Sequence, residues 1–284
     1  MYKAEIVADS TAANQRLTSI EVTFPRYILA EFNTHRVFSR NSASSRAIPV
    51  KLRVQQVRNA PFVPSFTKNK AGMQATELVA DAAQAEQLWL GAAMQAAQHA
   101  AWLADLEVHK QQANRVLEPY TWHTVLVTAT DWENFFNLRL HPDAAPEIQQ
   151  AAWCMKEAMD ASTPIPLEEG QWHLPYVVES ERNLPVETLI KISVARCAAV
   201  SYERQKASKT VKEYTERHDK LMQSGHWSPF EHQAKVATAN EILHQADYRW
   251  SMETGAFEAV RIGNFQVPWL QYRKTIPGEA VFRP

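Results

Sequence analysis

Apolar residues recur with two different periods along this chain, and the periods predict strands and helices respectively. Ile20, Val22 and Phe24 alternate with polar residues, which is the pattern of a half-buried strand. The chain then enters a segment of helical character, and we expect this helix to end near His35. Residues 76–107 are rich in Ala and place Leu at helical spacing, which predicts a long helix.

Further elements are predicted in the second half of the chain. One helix begins near Pro146, because proline is favoured in the first turn. Two more lie within residues 185–203 and 212–224, and a glycine ends the second. Residues 36–49 are polar and are predicted to form a loop, whereas the segment from residue 231 onward begins as a strand. Long helices with a mixed or antiparallel sheet indicate an α+β fold.

A connector with four prolines occupies residues 163–185. It is either a connector within one domain or a join between subdomains, near residues 160–186. The length of 284 residues suits either one large domain or two small ones.

The overall charge and the cysteines narrow the class of protein. A net charge of -1 argues against a general electrostatic grip on nucleic acid, so any anion site must be local. No apolar run approaches the roughly 20 residues of a membrane span, and no signal peptide is recognised, so we expect a cytoplasmic protein without a membrane partner. Cys154 and Cys197 lack the spacing of metal ligands and are predicted to be buried free thiols.

The densest polar cluster is residues 35–46, with three arginines, four serines and no acidic residue. Guanidinium groups match phosphate oxygens in paired hydrogen bonds, so this composition favours an anion site; a solvated Ser-rich loop is the alternative. Arg139 follows an apolar run and is expected at a buried edge, where it pairs with either a bound anion or a structural carboxylate.

A second cluster, residues 225–232, contains His226, Glu231 and His232. Its spacing matches neither HExxH nor HxxEH, so no metal is expected. Either a histidine at a pocket wall or a core histidine fits this segment. The chain has no Gly-rich phosphate loop, and neither cysteine lies in a nucleophile motif.

Together these clusters resemble the flavin-dependent thymidylate synthases, whose signature has the form RHRxxSxNExSxR. Thr34 and Ser42 stand where the signature has Arg and Glu. Six signature positions match in this chain: His35, Arg36, Ser39, Asn41, Ser44 and Arg46.

Three further segments carry the resemblance. Residues 110–152 are similar to the family's second block, with Arg115, Asn134 and Arg139 at its polar positions. GHWSPFEH and SVARCAAVSYE are similar to segments that precede the signature in the usual family member, whereas here they follow residue 190. This order indicates a circular permutation, in a phage-type relative whose single catalytic domain spans residues 1–284.

The resemblance implies a homotetramer with active sites shared between subunits. It implies transfer of a one-carbon unit from methylenetetrahydrofolate to C5 of dUMP, with FAD as prosthetic group and NADPH as reductant. Arg139 and His232 would be catalytic. The nucleotide would be bound by Ser44, Arg46, Arg115 and Arg139, and the flavin by His35, Arg36, Ser39, Asn41, Asn134 and His232.

Departures from the family pattern leave alternatives open. Glu31 and Thr128, like Ser42, differ from the family beside the expected flavin and base. These changes favour, as an alternative, a hydroxymethylase of dUMP or dCMP; a third reading is a non-catalytic nucleotide or flavin binder. Arg273 is a candidate to replace the arginine missing at Thr34. The permutation predicts that residues 225–232 lie in one pocket with residues 35–46 and Arg139, within or across subunits.

Overall fold

The computed structural model describes residues 1–71, 77–200 and 209–281. The strands of this part of the chain are β1 (Lys3–Ala12), β2 (Gln15–Pro25), β3 (Ser39–Ser42), β4 (Trp122–Ala129), β5 (Ile165–Pro166), β6 (Trp172–His173), β7 (Ala234–Val236), β8 (Asp247–Ser251), β9 (Ala256–Ile262), β10 (Phe265–Gln266) and β11 (Trp269–Gln271).

The α-helices of the same part are α1 (Leu29–Phe32), α2 (Val50–Asn59), α3 (Ala82–Asp105), α4 (Lys110–Ala113), α5 (Glu133–Arg139), α6 (Pro146–Asp160), α7 (Val186–Cys197), α8 (Val211–Gln223) and α9 (Ala239–Gln245). Short 3-10 helices cover Arg26–Ile28, Asn114–Tyr120, Glu179–Glu181, Ser228–Glu231 and Tyr272–Thr275.

A five-stranded sheet in the order β3-β4-β2-β1-β5 forms the centre of the molecule. β1 and β2 form an antiparallel hairpin whose two turn residues, Ala13 and Asn14, have φ of 45° and 64°. Two positive φ angles in a two-residue turn give the twist that adjacent antiparallel strands need. β5 pairs in parallel with β1, so the sheet is mixed, while the two three-stranded sheets are antiparallel. The predicted α+β class is confirmed.

The two faces of this sheet are covered by different parts of the chain. On one face, named the helix face, Ile20 and Val127 pack in a buried cluster with Ile148 of α6 and Phe135 of α5. On the opposite face, named the C-terminal face, Leu126 packs against α7 and the segment after it. Strand alternation explains the division, because successive side chains point to opposite faces.

The C-terminal face is also covered by the small β11-β7-β6 sheet. Leu17 of β2 packs with Ala234 and Trp269 of that sheet in a second buried cluster. A third layer lies beside the main sheet, where α2 and α3 pack through Val54 and Ala97. The signature strand β3 lies at one edge of the main sheet, between these layers.

The strand predicted at Ile20, Val22 and Phe24 is confirmed within β2, and most of the predicted helices are confirmed. The helices starting at Pro146 and within residues 185–203 and 212–224 are confirmed as α6, α7 and α8, although residues 201–203 lie outside the described part. The helix after β2 is short and ends at Phe32. The predicted loop at 36–49 contains β3.

The long helix predicted from Thr76 begins instead at Ala82, because the Asp81 side chain accepts a hydrogen bond from the Gln84 amide and caps it there. Thr76 itself lies outside the described residues. Leu78, expected inside the helix, forms a β-bridge with Thr67. No helix within the described ranges is long and apolar enough to cross a bilayer.

Candidate functional site

A cleft of ≈ 320 Å³ lies where the segment after α1 meets α5 and β9. We name it the signature cleft. Its lining residues are Thr34, His35, Arg36, Val37, Phe38, Asp131, Asn134, Phe135, Leu138, Arg139 and Arg261. The cleft therefore joins residues 34–38 to residues 131–139, about one hundred positions apart, with Arg261 as a third contributor.

Arg139, the last residue of α5, makes the contact that joins these regions. Its Nε donates to His35 Nε2 at 2.9 Å, and its Nη2 donates to Thr34 Oγ1 at 3.2 Å. Since His35 Nε2 accepts a hydrogen bond, the imidazole carries its proton on Nδ1. Burial, and then the charges of Arg139 and Arg40, lower the pKa of His35 to about 4. His35 is thus neutral near pH 7 and orients the guanidinium group.

Aromatic rings hold this imidazole in place. His35 stacks on Phe38 with ring centroids 5.7 Å apart and meets Phe135 edge-on at 4.9 Å. Phe38 in turn packs on Trp132, and all three rings belong to the buried cluster of the helix face. The back wall of the cleft is therefore close-packed core, whereas Val37 and Leu138 are exposed at its surface together with the polar side chains.

The charge of the cleft is positive. Arg36, Arg139 and Arg261 line it with one carboxylate, Asp131, so three cations minus one anion leave a charge of +2. Arg261 Nη2 pairs with Asp131 at 2.9 Å, whereas Arg36 is exposed and forms no ion pair within the described residues. An unpaired guanidinium beside a second one suits a phosphate group.

Sequence reasoning missed Arg261 and Asp131, since neither stands in a recognisable motif. It also proposed Arg273 as the C-terminal arginine of the site. Arg273 instead pairs with Glu231 and with Glu279, the latter at 2.7 Å, and it does not line the cleft. Among the described residues of the C-terminal segment, Arg261 is the arginine that reaches the signature cleft.

Ser39 and Asn41 point to the C-terminal face and not into the cleft. Ser39 Oγ accepts from Gln271 Nε2 at 3.0 Å. Asn41 Nδ2 donates to the Cys197 carbonyl at 2.5 Å, and Asn41 Oδ1 accepts from Ser228 Oγ at 3.1 Å. These bonds attach the signature strand to α7 and to the segment of residues 225–232.

His232 is fully buried behind the same strand layer. Its Nδ1 lies 2.8 Å from Thr128 Oγ1, and burial lowers its pKa to about 3. Its Nε2 has no hydrogen-bond partner among the residues that the structure describes. His232 does not line the signature cleft. The expected shared pocket with Arg139 is therefore not formed within one chain, although Ser228 does contact the signature strand.

Ser44, Arg46 and Arg115 are exposed and lie on two other segments of the chain. Buried Asn114 connects their segments, because its Nδ2 donates to the carbonyls of Ser45 at 2.7 Å and Ile48 at 2.8 Å. We name this surface the arginine patch. No described residue forms an ion pair with either of its arginines, and none of the three lines the signature cleft. Within the described ranges no cluster of three or more His, Cys, Asp and Glu is arranged to hold a metal ion.

A positive cleft of arginine, histidine and asparagine on an α+β fold has the composition of a site for an anionic group. The chain belongs to the Thy1 family, described as "Thymidylate synthase complementing protein", whose model matches residues 9–165, more than half of the 284 residues. The match includes the signature and the second block and leaves out residues 225–232.

Solved structures with some similarity include a UMP/dUMP methylase, PolB from Streptomyces cacaoi, bound with 5-Br UMP. It is 15% identical, with a TM-score of 0.44 over 56% of this chain and 88% of that chain. Thymidylate Synthase X (ThyX) from Helicobacter pylori, with FAD and dUMP, is 18% identical, with a TM-score of 0.36 over 50% of this chain and 67% of that chain. Comparison with curated protein sequences finds no match.

Proposed function

We propose that this chain is a flavin-dependent methylase of a pyrimidine nucleoside monophosphate, transferring a one-carbon unit from methylenetetrahydrofolate to C5 of dUMP. The contact of Arg139 with His35 and Thr34 carries the proposal. It brings the signature and the second block of the family match into one positive cleft.

The side chains of the signature cleft fit the phosphates of FAD. Arg36 and Arg261 supply guanidinium donors, Asn134 is exposed at the rim, and the net charge of +2 complements a diphosphate. FAD, when bound, supplies the redox and one-carbon chemistry, with NADPH as the proposed reductant. In this proposal Arg139 is held by neutral His35 so that its remaining donors face the ligand.

The arginine patch is the proposed site of the nucleotide phosphate. Ser44, Arg46 and Arg115 present a hydroxyl and two guanidinium groups to solvent. Because they do not line the signature cleft of their own chain, a complete site needs the patch of one subunit to meet the cleft of another. A shared site of this kind requires an oligomer, and the homotetramer that the resemblance implies would provide it.

The permuted order of segments is part of the proposal. The bond between Ser228 and Asn41 shows residues 225–232 packed on the signature strand, although they follow it in the chain by about 185 positions. A single catalytic domain over residues 1–284, with permuted connectivity, accounts for this packing. By the resemblance His232 and its partner Thr128 are expected beside the flavin, although His232 does not line the cleft proposed for the flavin phosphates.

Mass spectrometry of the nucleotide product tests the proposal. Purified protein is incubated with FAD, NADPH and methylenetetrahydrofolate, with dUMP added to one reaction and dCMP to another. A gain of one methyl group on dUMP, abolished in Arg139→Gln and retained in the exposed control Arg249→Gln, is the expected result. No product from either nucleotide, with FAD bound, would refute the proposed activity.

A hydroxymethylase is the second candidate, favoured by one observation. Thr128, where the family has an amide side chain by resemblance, is hydrogen-bonded to His232 and Ser19, so the polar groups beside the expected flavin are altered. The same experiment separates the two activities, because a hydroxymethyl group adds one more oxygen to the mass of the product.

A further inference from the structure

Five buried side chains form one continuous hydrogen-bonded chain on the C-terminal face of the main sheet. Ser10 Oγ lies 2.9 Å from His173 Nδ1, and His173 Nε2 lies 2.8 Å from Ser19 Oγ. Ser19 Oγ lies 2.6 Å from Thr128 Oγ1, which lies 2.8 Å from His232 Nδ1. No member is more than 5% exposed.

The two ends of this chain have different surroundings. At one end, His232 Nε2 is buried and has no partner among the described residues. At the other, Ser10 lines a cavity of ≈ 310 Å³, together with Ser162, Thr163 and Trp172. The chain therefore connects a buried ring nitrogen with a cavity large enough for water.

The number of protons restricts how this chain can be arranged. Burial lowers the pKa of His173 and of His232 to about 3, so both imidazoles are neutral and carry one proton each. Ser19 and Thr128 also have one proton each. With Ser10 included, five protons serve four hydrogen bonds. Every bond is filled and the spare proton lies at an end of the chain, and not on Ser19 or Thr128, only if both histidines are protonated on the same ring position, either both on Nδ1 or both on Nε2.

We propose that these five side chains form a proton path between His232 Nε2 and the cavity at Ser10, with Ser19, Thr128 and His173 as positioning residues. A proton taken up at His232 Nε2 releases the Nδ1 proton to Thr128 Oγ1. The Thr128 proton then moves to Ser19, the Ser19 proton to His173 Nε2, and the His173 Nδ1 proton to Ser10. Ser10 releases its own proton to water in the cavity.

This transfer leaves every side chain neutral and reverses all four hydrogen bonds. A lasting imidazolium at His232 would be costly, because the ring is fully buried and no described carboxylate contacts it. The path allows the buried ring to exchange protons without that cost. The two arrangements differ at Nε2, which has an open lone pair in one and carries the proton in the other.

Nuclear magnetic resonance of ¹⁵N-histidine-labelled, full-length protein tests the path without any substrate. Long-range ¹H–¹⁵N spectra report which ring nitrogen is protonated. We expect His173 and His232 to be protonated on the same ring position in the wild type. In Ser19→Ala the connection between them is removed, so we expect the ¹⁵N shifts of the His232 ring to change.

Thr23→Val is the matched control, because Thr23 forms a similar hydroxyl pair with Thr124, 2.8 Å apart on the same two strands but outside the path. This variant should leave the His232 ring shifts unchanged. Opposite ring positions in the wild type, or identical His232 shifts in Ser19→Ala and wild type, would overturn the proposal. Loss of methylase activity in other experiments would not affect it, since the path is read from the free protein.

Discussion

Replacing Asn114 with alanine removes the side chain that holds the loop of the arginine patch. Asn114 is 3% exposed, and its amide donates to the carbonyls of Ser45 and Ile48, which belong to residues that are themselves buried. Alanine leaves both carbonyls without a donor from this position. Since a buried acceptor that loses its partner costs about 1–2 kcal/mol, we expect the free energy of unfolding to fall by about 2–4 kcal/mol.

Urea denaturation followed by circular dichroism measures this loss. Asn59→Ala is the matched control, because Asn59 is exposed on α2 and should change the free energy of unfolding by less than about 0.5 kcal/mol. Under the proposed function, Asn114→Ala also weakens dUMP binding by about tenfold in calorimetry, since the loop carries Ser44 and Arg46. Unchanged stability of Asn114→Ala would refute the reasoning that this side chain fixes the patch.

Three other predictions concern acid stability, thiols and flavin affinity. The pKa of His35 is about 4 in the folded protein and 6.5 in the unfolded chain. The stability that neutral His35 contributes is therefore complete above pH 6.5 and is lost as the pH falls to 4. The melting temperature of His35→Asn should fall less steeply with acid than that of the wild type. Burial raises the pKa of the Cys197 thiol, so a thiol reagent should modify Cys154 alone in the native protein and both cysteines in urea. Two reactive thiols in the native protein would contradict the burial of Cys197. Arg261→Gln should weaken FAD binding about 5- to 10-fold in a fluorescence titration, whereas Arg249→Gln, which changes an exposed arginine, should not. An FAD affinity of Arg261→Gln equal to that of the wild type would show that Arg261 does not contact the flavin.

Helices with local start and stop signals could be predicted from the sequence. Pro146 occupies the first turn of α6, and Gly225, with φ of 68°, follows α8. Both signals act within one turn of the helix end, so no distant contact is needed to recognise them. The start of α3 was misplaced because its Ala-rich composition continues the helical pattern beyond the cap at Asp81.

Several strands escaped prediction, and β1 and β3 show two different physical reasons. β1 contains a bulge between Ile6 and Ala8, which shifts the alternation of side chains and hides the period of two. β3 is Ser-Arg-Asn-Ser and has no apolar alternation. It is a strand because it pairs with β4, more than eighty residues further along the chain. Neither feature can be read from a short window of sequence.

The candidate site was predicted from the resemblance and not from spacing. Residue composition alone left Arg139 with either a bound anion or a structural carboxylate; the structure shows a neutral His35 as its partner. Arg261 was missed because an isolated arginine in a strand gives no local signal. The path from Ser10 to His232 was likewise invisible, because its five members come from four strands and one loop, separated by up to 222 positions.

The flavin affinity of Arg36→Gln tests the central claim most directly. Arg36 is exposed and lines the signature cleft without an ion pair inside the described chain, so its replacement should leave the fold intact. Fluorescence titration with FAD, alongside the control Arg249→Gln, gives the comparison. The account predicts binding about tenfold weaker for Arg36→Gln, at unchanged melting temperature. Equal FAD affinity for Arg36→Gln, Arg249→Gln and the wild type would contradict the assignment of this cleft to the flavin.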